Sequence, residues 1–236
     1  MSKLSNIINF IKDIISPKYC YSCKVEWHFL CPQCLQKLNS HKPFCYQCKL
    51  ISNEFDIHKK CSKNVYYDKV IVNFHYREKT IKNLIKDAKF YSRQEVLNDF
   101  WQSMSTLFLD NENILDKSNY LIASSPMHFL RKLKRWYNHS ESLAKVISKI
   151  VDIEANFKLI KKIKYTKQQS KLSKKERENN LKSSFKINKK FINQINWKNI
   201  IIVDDVVSTW TTLNEIAKVL KENWAKKVIW LVIASD

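Results

Sequence analysis

A chain of 236 residues without a single glycine has no residue that enters left-handed backbone free of steric cost, because every side chain in it carries a Cβ. Tight turns, helix C-termini and loops that pass close to a ligand normally draw on glycine for that freedom. Average usage of about 7% would put roughly sixteen glycines in a chain of this length. Tryptophan, a rare residue, occurs seven times instead. Trp224 follows the predicted helix end at Glu222–Asn223, where a left-handed residue is expected, and Trp197 stands in a turn ahead of a predicted strand.

The remaining composition permits an ordinary folded protein. Hydrophobic residues make up 44% of the chain, enough for a packed core, and the length suits one medium domain with a small accessory one. The formal charge is +20. That excess favours polyanionic partners such as nucleic acid, nucleotides or phosphorylated substrates, although Lys-, Asn- and Ile-rich usage also follows from an AT-rich genome. No apolar run approaches the length of a membrane span. Leu4, Ile7, Ile8, Ile11, Ile14 and Ile15 have helical spacing, interrupted by Lys12 and Asp13. They predict a short amphipathic helix packed on the protein, with a membrane-surface helix as the competing reading. No small-residue cleavage site follows it, so a signal peptide is not expected and a cytoplasmic location is.

All seven cysteines fall between Cys20 and Cys61, which marks residues 1–64 as a module apart from 65–236. Cys20-x2-Cys23-x7-Cys31-x2-Cys34 forms one tetrad. Each CxxC turn sets two thiolates on one side of a metal, and two such turns complete the tetrahedral four-thiolate shell that zinc prefers. Cys45-x2-Cys48 with His58-x2-Cys61 repeats the logic as a Cys3His set, with His58 as an ordinary surface histidine the competing reading. Disulfides would suit a secreted chain, and redox CxxC motifs rarely stand in tandem at this spacing. A closed four-ligand shell predicts structural Zn2+ in a zinc-ribbon module.

Beyond residue 65, apolar runs alternate with helical periodicity. Tyr66–Tyr76 and Tyr120–Ser124 read as strand-rich, and Thr80–Leu109 as mostly helix with Ile81, Leu84, Ile85 and Ala88 on one face. Asn111–Asn119 is loop-like, and Ser140–Val151 is helical. Lys161–Lys190 is polar and suggests a mobile loop or solvated helix. Ile200–Val203 is a β-branched strand buried on both faces, followed by a helix over Leu213–Glu222 and a strand over Lys227–Ala234. Such alternation predicts an α/β domain on a mostly parallel sheet.

The stretch Ile200–Thr212 carries the most chemistry. An apolar strand leads into Asp204 and Asp205, then into Ser208, Thr209, Trp210, Thr211 and Thr212, and then a helix. Backbone N–H groups at such a turn, together with a helix N-terminus, suit a phosphate. The paired acids suit ribose hydroxyls or a ribose-bound Mg2+. An ordinary strand followed by a capped helix, with both acids as turn residues, is the plain alternative.

This stretch resembles the signature of the type I phosphoribosyltransferases, an apolar strand, Asp-Asp and then Thr-Thr-Gly-x-Thr. Over nearly the whole chain the similarity narrows to the ComF-type competence proteins, which join a cysteine-rich zinc module to this domain. Ser125-Pro126-Met127-His128 with Arg131, Arg135, Tyr137-Asn138 and Glu141 resembles their Pro-x-Pro-Leu-x…Arg…Arg-Gly-Phe-Asn-Gln segment, which begins at the diphosphate loop. Thr166-x2-Gln169-x2-Leu172-x4-Arg177-x2-Asn180 with Phe185 matches a further segment, and Tyr76-Arg77 with Ile81–Lys89 fits the region before the diphosphate loop. The resemblance implies that Ser208–Thr212 bind the 5-phosphate of phosphoribosyl diphosphate or a related sugar phosphate. It implies that Asp204 and Asp205 are the catalytic acids holding the ribose with Mg2+, and that Ser125, Pro126, Arg131 and Arg135 flank the diphosphate. It also implies work in DNA uptake, with single-stranded DNA and DNA-uptake proteins as partners. A nucleic-acid-binding zinc adaptor with a regulatory or inactive sugar-phosphate pocket is the second reading. No acceptor and no general base are legible, so turnover as a glycosyltransferase is left open.

The chain departs from the family at Ser124, Ser125, His139 and Lys162. Its tryptophans depart in one direction: Trp210 and Trp136 occupy family glycine positions, Trp224 and Trp197 occupy habitual turn-glycine positions, and Trp27, Trp101 and Trp230 fit the same substitution less decisively. The expectation is a gene from a lineage that reads UGA as glycine, with each UGA written here as tryptophan. The competing reading is an inactive relative whose pocket is plugged by Trp210.

Overall fold

The structure is a computed structural model that describes residues 17–90, 96, 100–128, 138–164, 183–207 and 210–235, the side chains of 89, 90 and 102 excepted. The helix expected at Leu4–Ile15, the segment Thr166–Asn180, and Arg131, Arg135, Trp136, Tyr137, Ser208 and Thr209 lie outside the described residues.

Strand and helix labels run in chain order: α1 (Pro32–Gln36), β1 (Lys69–His75), α2 (Lys79–Phe90), α3 (Trp101–Asn111), β2 (Tyr120–Ser124), α4 (His139–Val151), β3 (Ile160–Lys162), β4 (Phe185–Ile187), β5 (Asn199–Val207), α5 (Trp210–Glu222) and β6 (Lys227–Ser235). Four strands form one parallel sheet in the order β1-β6-β5-β2. β2 is buried throughout and β6 everywhere but Lys227. Helices cover such a parallel sheet, so its strands read as continuous apolar runs. The helix stripes supply the covering surface: Ile81, Leu84, Ile85 and Ala88 on α2, Leu143, Ala144, Ile147 and Val151 on α4, and Leu213, Ile216, Ala217 and Leu220 on α5 are all buried. α4 packs on β5 and β2, α3 on α4 and β1, and α5 on β6.

Three sequence expectations are corrected here. The strand read as Ile200–Val203 runs on through both acids to Val207, because β6 continues beside it and pairs Val206 with Ala234 and Val207 with Ser235. The helix read from Leu213 begins at Trp210. The described ends of the polar segment 161–190 form no α-helix, though Lys189 opens a short 3-10 helix that runs to Gln194. Ile160–Lys162 and Phe185–Ile187 pair as an antiparallel ribbon, burying Ile160 and Phe185 while Lys161 and Lys186 point outward.

The cysteine-rich segment packs on this domain, and one hydrophobic cluster runs from Cys20, Phe29 and Phe55 into the sheet. Backbone bridges join Ser40 to Phe74 and Asp56 to Lys69, with His41 N–H donating to the Asn73 carbonyl at 2.8 Å and Ile57 N–H to Asp68 at 2.9 Å. The ammonium of Lys69, only 4% exposed, lies 2.9 Å from Glu112, 3.3 Å from Glu54 and 3.5 Å from Asp56. It also donates to the Asn111 carbonyl at 2.6 Å. Burial opposes its charge, but these acids, Glu112 foremost, hold its pKa above the ordinary value. Among the described residues, no helix is long and apolar enough to cross a membrane.

Candidate metal centres and candidate phosphate site

The two cysteine sets are built by the same turn. Cys20 N–H donates to Val25 and Lys24 N–H to Cys20; Cys45 N–H donates to Leu50 and Lys49 N–H to Cys45, all at 2.8–2.9 Å. Bridges Tyr19–Glu26 and Phe44–Ile51 close each loop. Lys24 and Lys49 take φ of 64° and 62°, the left-handed step that turns the chain behind the second cysteine of each pair. The other two ligands of each set come from one helical turn apiece, Leu35 N–H donating to Cys31 and Cys61 N–H to His58.

The ligand atoms of Cys20, Cys23, Cys31 and Cys34 lie within 4.8 Å of one another, and so do those of Cys45, Cys48, His58 and Cys61. Cys23 and Cys31 sulfurs are 3.7 Å apart, close to the ~3.8 Å edge of a tetrahedron with zinc–sulfur bonds of about 2.3 Å. His58 turns Nδ1 toward the Cys48 sulfur at 3.3 Å and Nε2 toward the Ile51 carbonyl at 3.1 Å. With Nε2–H donating to that carbonyl, Nδ1 presents its lone pair to a metal. No cysteine is in a disulfide. Burial works against ionising Cys20, yet N–H donors of Cys23, Cys31 and Ser22 outweigh it and hold the thiol at about 6. Burial, followed by the neighbouring Cys48 and Cys45, pushes Cys61 up to about 11. Thiols crowded this closely cannot all ionise without a cation among them, and both donor sets fit structural zinc.

At the carboxyl edge of the sheet, β2 and β5 leave side by side, with Ser124 in register with Val203 and Ser125 N–H donating to the Val203 carbonyl at 3.0 Å. Asp204 and Asp205 follow on β5, Asp205 buried and Asp204 half-buried. Asp204 Oδ1 accepts from Ser140 Oγ at 2.6 Å and from Asp205 N–H at 2.9 Å; Asp205 Oδ1 accepts from Val206 N–H at 2.6 Å. Ser140 sits in the first turn of α4, and Asn138 ahead of it donates to the Ser125 carbonyl at 3.1 Å. The edge therefore gathers Ser125, Asp204 and Asp205 against the positive end of one helix dipole, with the start of α5 three residues beyond Val207. Pro126 lines a cavity of about 550 Å3 with Met127, His128, Asn138 and Glu141. Thr211 is buried and Thr212 half-buried in the first turn of α5, and the half-buried Trp210 packs against the core. Ser140 was not legible as a partner of Asp204, because the two are 64 residues apart and no short-range pattern links them. On the other side of the edge, His41 from the cysteine-rich segment lies against His75 at the end of β1, ring centroids 3.5 Å apart and planes tilted by 42°.

No family model matches the chain. Curated relatives match it almost end to end. Competence protein F of Haemophilus influenzae is 28% identical over 225 residues, covering 89% of this chain and 94% of the relative. The DNA utilization protein YhgH of Escherichia coli K12 is 25% identical over 229 residues, covering 91% and 96%, and that of Salmonella typhi is 24% identical over 226 residues with the same coverage. The chain is similar, over nearly its whole length, to proteins named for competence and for DNA utilization.

Proposed function

We propose that the chain serves the uptake or use of incoming DNA, as a zinc-bearing protein whose sheet edge binds phosphoribosyl diphosphate or a related sugar phosphate. The single observation that carries the DNA role is the near full-length match to a protein named for competence and to others named for DNA utilization. The sugar-phosphate part rests on the resemblance of residues 200–212. It is supported by the meeting of two acids, Ser125 and a helix N-terminus at the carboxyl edge of a parallel sheet, where open α/β folds place ligands.

Asp204 and Asp205 cannot themselves attract a phosphate. Their partners are hydroxyls or a hard cation, and carboxylate oxygens are the donors that Mg2+ takes. When bound, Mg2+ would neutralise diphosphate charge. Ser140 holds Asp204 in place by the bond to Oδ1, the carboxylates would meet the ribose hydroxyls, and residues 208–212 would offer hydroxyls and N–H groups to the 5-phosphate. The formal charge of +20 supports contact with single-stranded DNA on the same molecule, with the pocket then acting as a regulatory site.

Calorimetric titration with phosphoribosyl diphosphate and Mg2+, on protein carrying glycine at 210, tests the pocket. Asp205→Asn is expected to weaken binding at least tenfold with little change in thermal midpoint; equal affinity of the two forms rejects the pocket. Titration with single-stranded DNA at increasing salt tests the second contact, which is expected to weaken steeply as counterions are released.

A further inference from the structure

We infer that positions 27, 197, 210 and 224 are glycine in the protein that the gene specifies, each being a UGA codon read as glycine. The absence of glycine beside seven tryptophans raises the question, and the backbone answers it independently of any relative. Of the six described tryptophans, at 27, 101, 197, 210, 224 and 230, three take left-handed backbone: Trp27 at φ 75°, Trp197 at 56° and Trp224 at 68°. A bulky side chain at positive φ is a genuine outlier. Asparagine and aspartate reach that region through local hydrogen bonds of their short polar side chains, which an indole cannot make.

Two of the three sites have the hydrogen-bond pattern of a glycine position. At the end of α5, Ala225 N–H donates to the Leu220 carbonyl and Trp224 N–H to that of Lys221, both at 3.1 Å. Those are the paired bonds of a Schellman motif, and residue 224 is its C′ residue, the position that glycine fills most often. Ala225 and Leu220 are both buried, as the apolar contact of that motif requires. At 197, Lys198 N–H donates to the Ile195 carbonyl at 3.0 Å across a four-residue turn. Positive φ falls at the third residue, Trp197, and not at Asn196, which is the type II pattern that demands glycine.

The indoles contribute little in return. Trp27, Trp197 and Trp224 are 58%, 66% and 69% exposed. Trp230 differs: it is fully buried in β6, and among the described residues its Nε1–H has no hydrogen-bond partner. One change of decoding accounts together for the missing glycine, the surplus tryptophan and the left-handed backbone at three of the tryptophans. It extends to 210, the tryptophan at the first position of α5.

The inference does not use the functional proposal: glycine at these positions without sugar-phosphate binding would reject only the latter. The test is peptide sequencing by mass spectrometry on protein purified from the cells that encode it. Cleavage after lysine releases residues 191–198 and 222–226, each holding one decisive position. Glycine at 197 and 224, with an intact mass below the 28.2 kDa of the written chain, is the expected result. Tryptophan at both, or UGG codons there, overturns the inference. Trp197 and Trp224, whose backbones share a hydrogen bond of 2.9 Å, would then form a true exposed aromatic surface.

Discussion

The left-handed backbone at residue 224 can be tested by a pair of substitutions that differ by one carbon. In the chain as written, Trp224→Gly and Trp224→Ala both discard the same indole, so its contacts cancel in the comparison. Only the Cβ distinguishes them. In the left-handed region a Cβ crowds the following carbonyl at a cost of about 1–2 kcal/mol. Glycine loses more backbone freedom on folding, which returns roughly 0.5–1 kcal/mol to alanine. The balance at φ 68° favours glycine by about 0.5–1 kcal/mol. For a chain of this size that is about 1–4 °C in thermal midpoint. The control is Trp101, the first residue of α3, where backbone is not left-handed and alanine is expected to exceed glycine. Thermal and urea denaturation of the four variants, each loaded with zinc, reads the sign directly. Alanine equal to or better than glycine at 224 would refute the left-handed assignment and the cap geometry built on it.

Further outcomes follow from other parts of the fold. Cys31→Ser is expected to halve bound zinc, from two ions per chain to one, measured by a colorimetric chelator after denaturation. Lys69→Met strands Glu112, itself 5% exposed, without its cation. It is expected to cost about 3–5 kcal/mol, read from urea midpoints, with Glu112→Gln added on top recovering part. Burial first, then His75 and Lys49, lower the pKa of His41 to about 4 from an ordinary 6.5. The folded state favours the neutral ring, so its contribution is whole above pH ~6.5 and fades as pH falls toward 4, with an upper bound of about 3 kcal/mol. His41→Phe is expected to flatten the fall in stability between pH 7 and 5 at constant zinc content.

Much of this architecture was legible because its signals are local. Cysteine spacing announced both ligand sets, and β-branched runs announced β5 and β6. The apolar periodicity at Ile81, Leu84, Ile85 and Ala88 matched the buried face of α2. What escaped depends on neighbours distant in sequence. The extension of β5 through Asp204 and Asp205 is imposed by β6, whose last residues supply the pairing. The β3–β4 ribbon is formed by three-residue strands too short to show alternation inside a lysine-rich stretch. Lys69 reads as one more surface lysine until the fold surrounds it with Glu54, Asp56 and Glu112. Ser140 becomes a partner of Asp204 only when α4 is laid against β5.

The backbone bridges between the cysteine-rich segment and β1 give the metal a task beyond local folding. β1 stands at the end of the strand order, and an unpaired end strand offers its free N–H and C=O groups to any extended chain it meets. Ser40, His41, Asp56 and Ile57 occupy parts of that border through bonds to Asp68, Lys69, Asn73 and Phe74, while Glu154 and Asn156 do the same for Ile122 on the opposite border. Stripping zinc would therefore do more than loosen two small loops. It would uncover a long apolar strand running from Lys69 to His75, and the first sign of metal loss should be concentration-dependent self-association of a chain whose sheet is otherwise still intact.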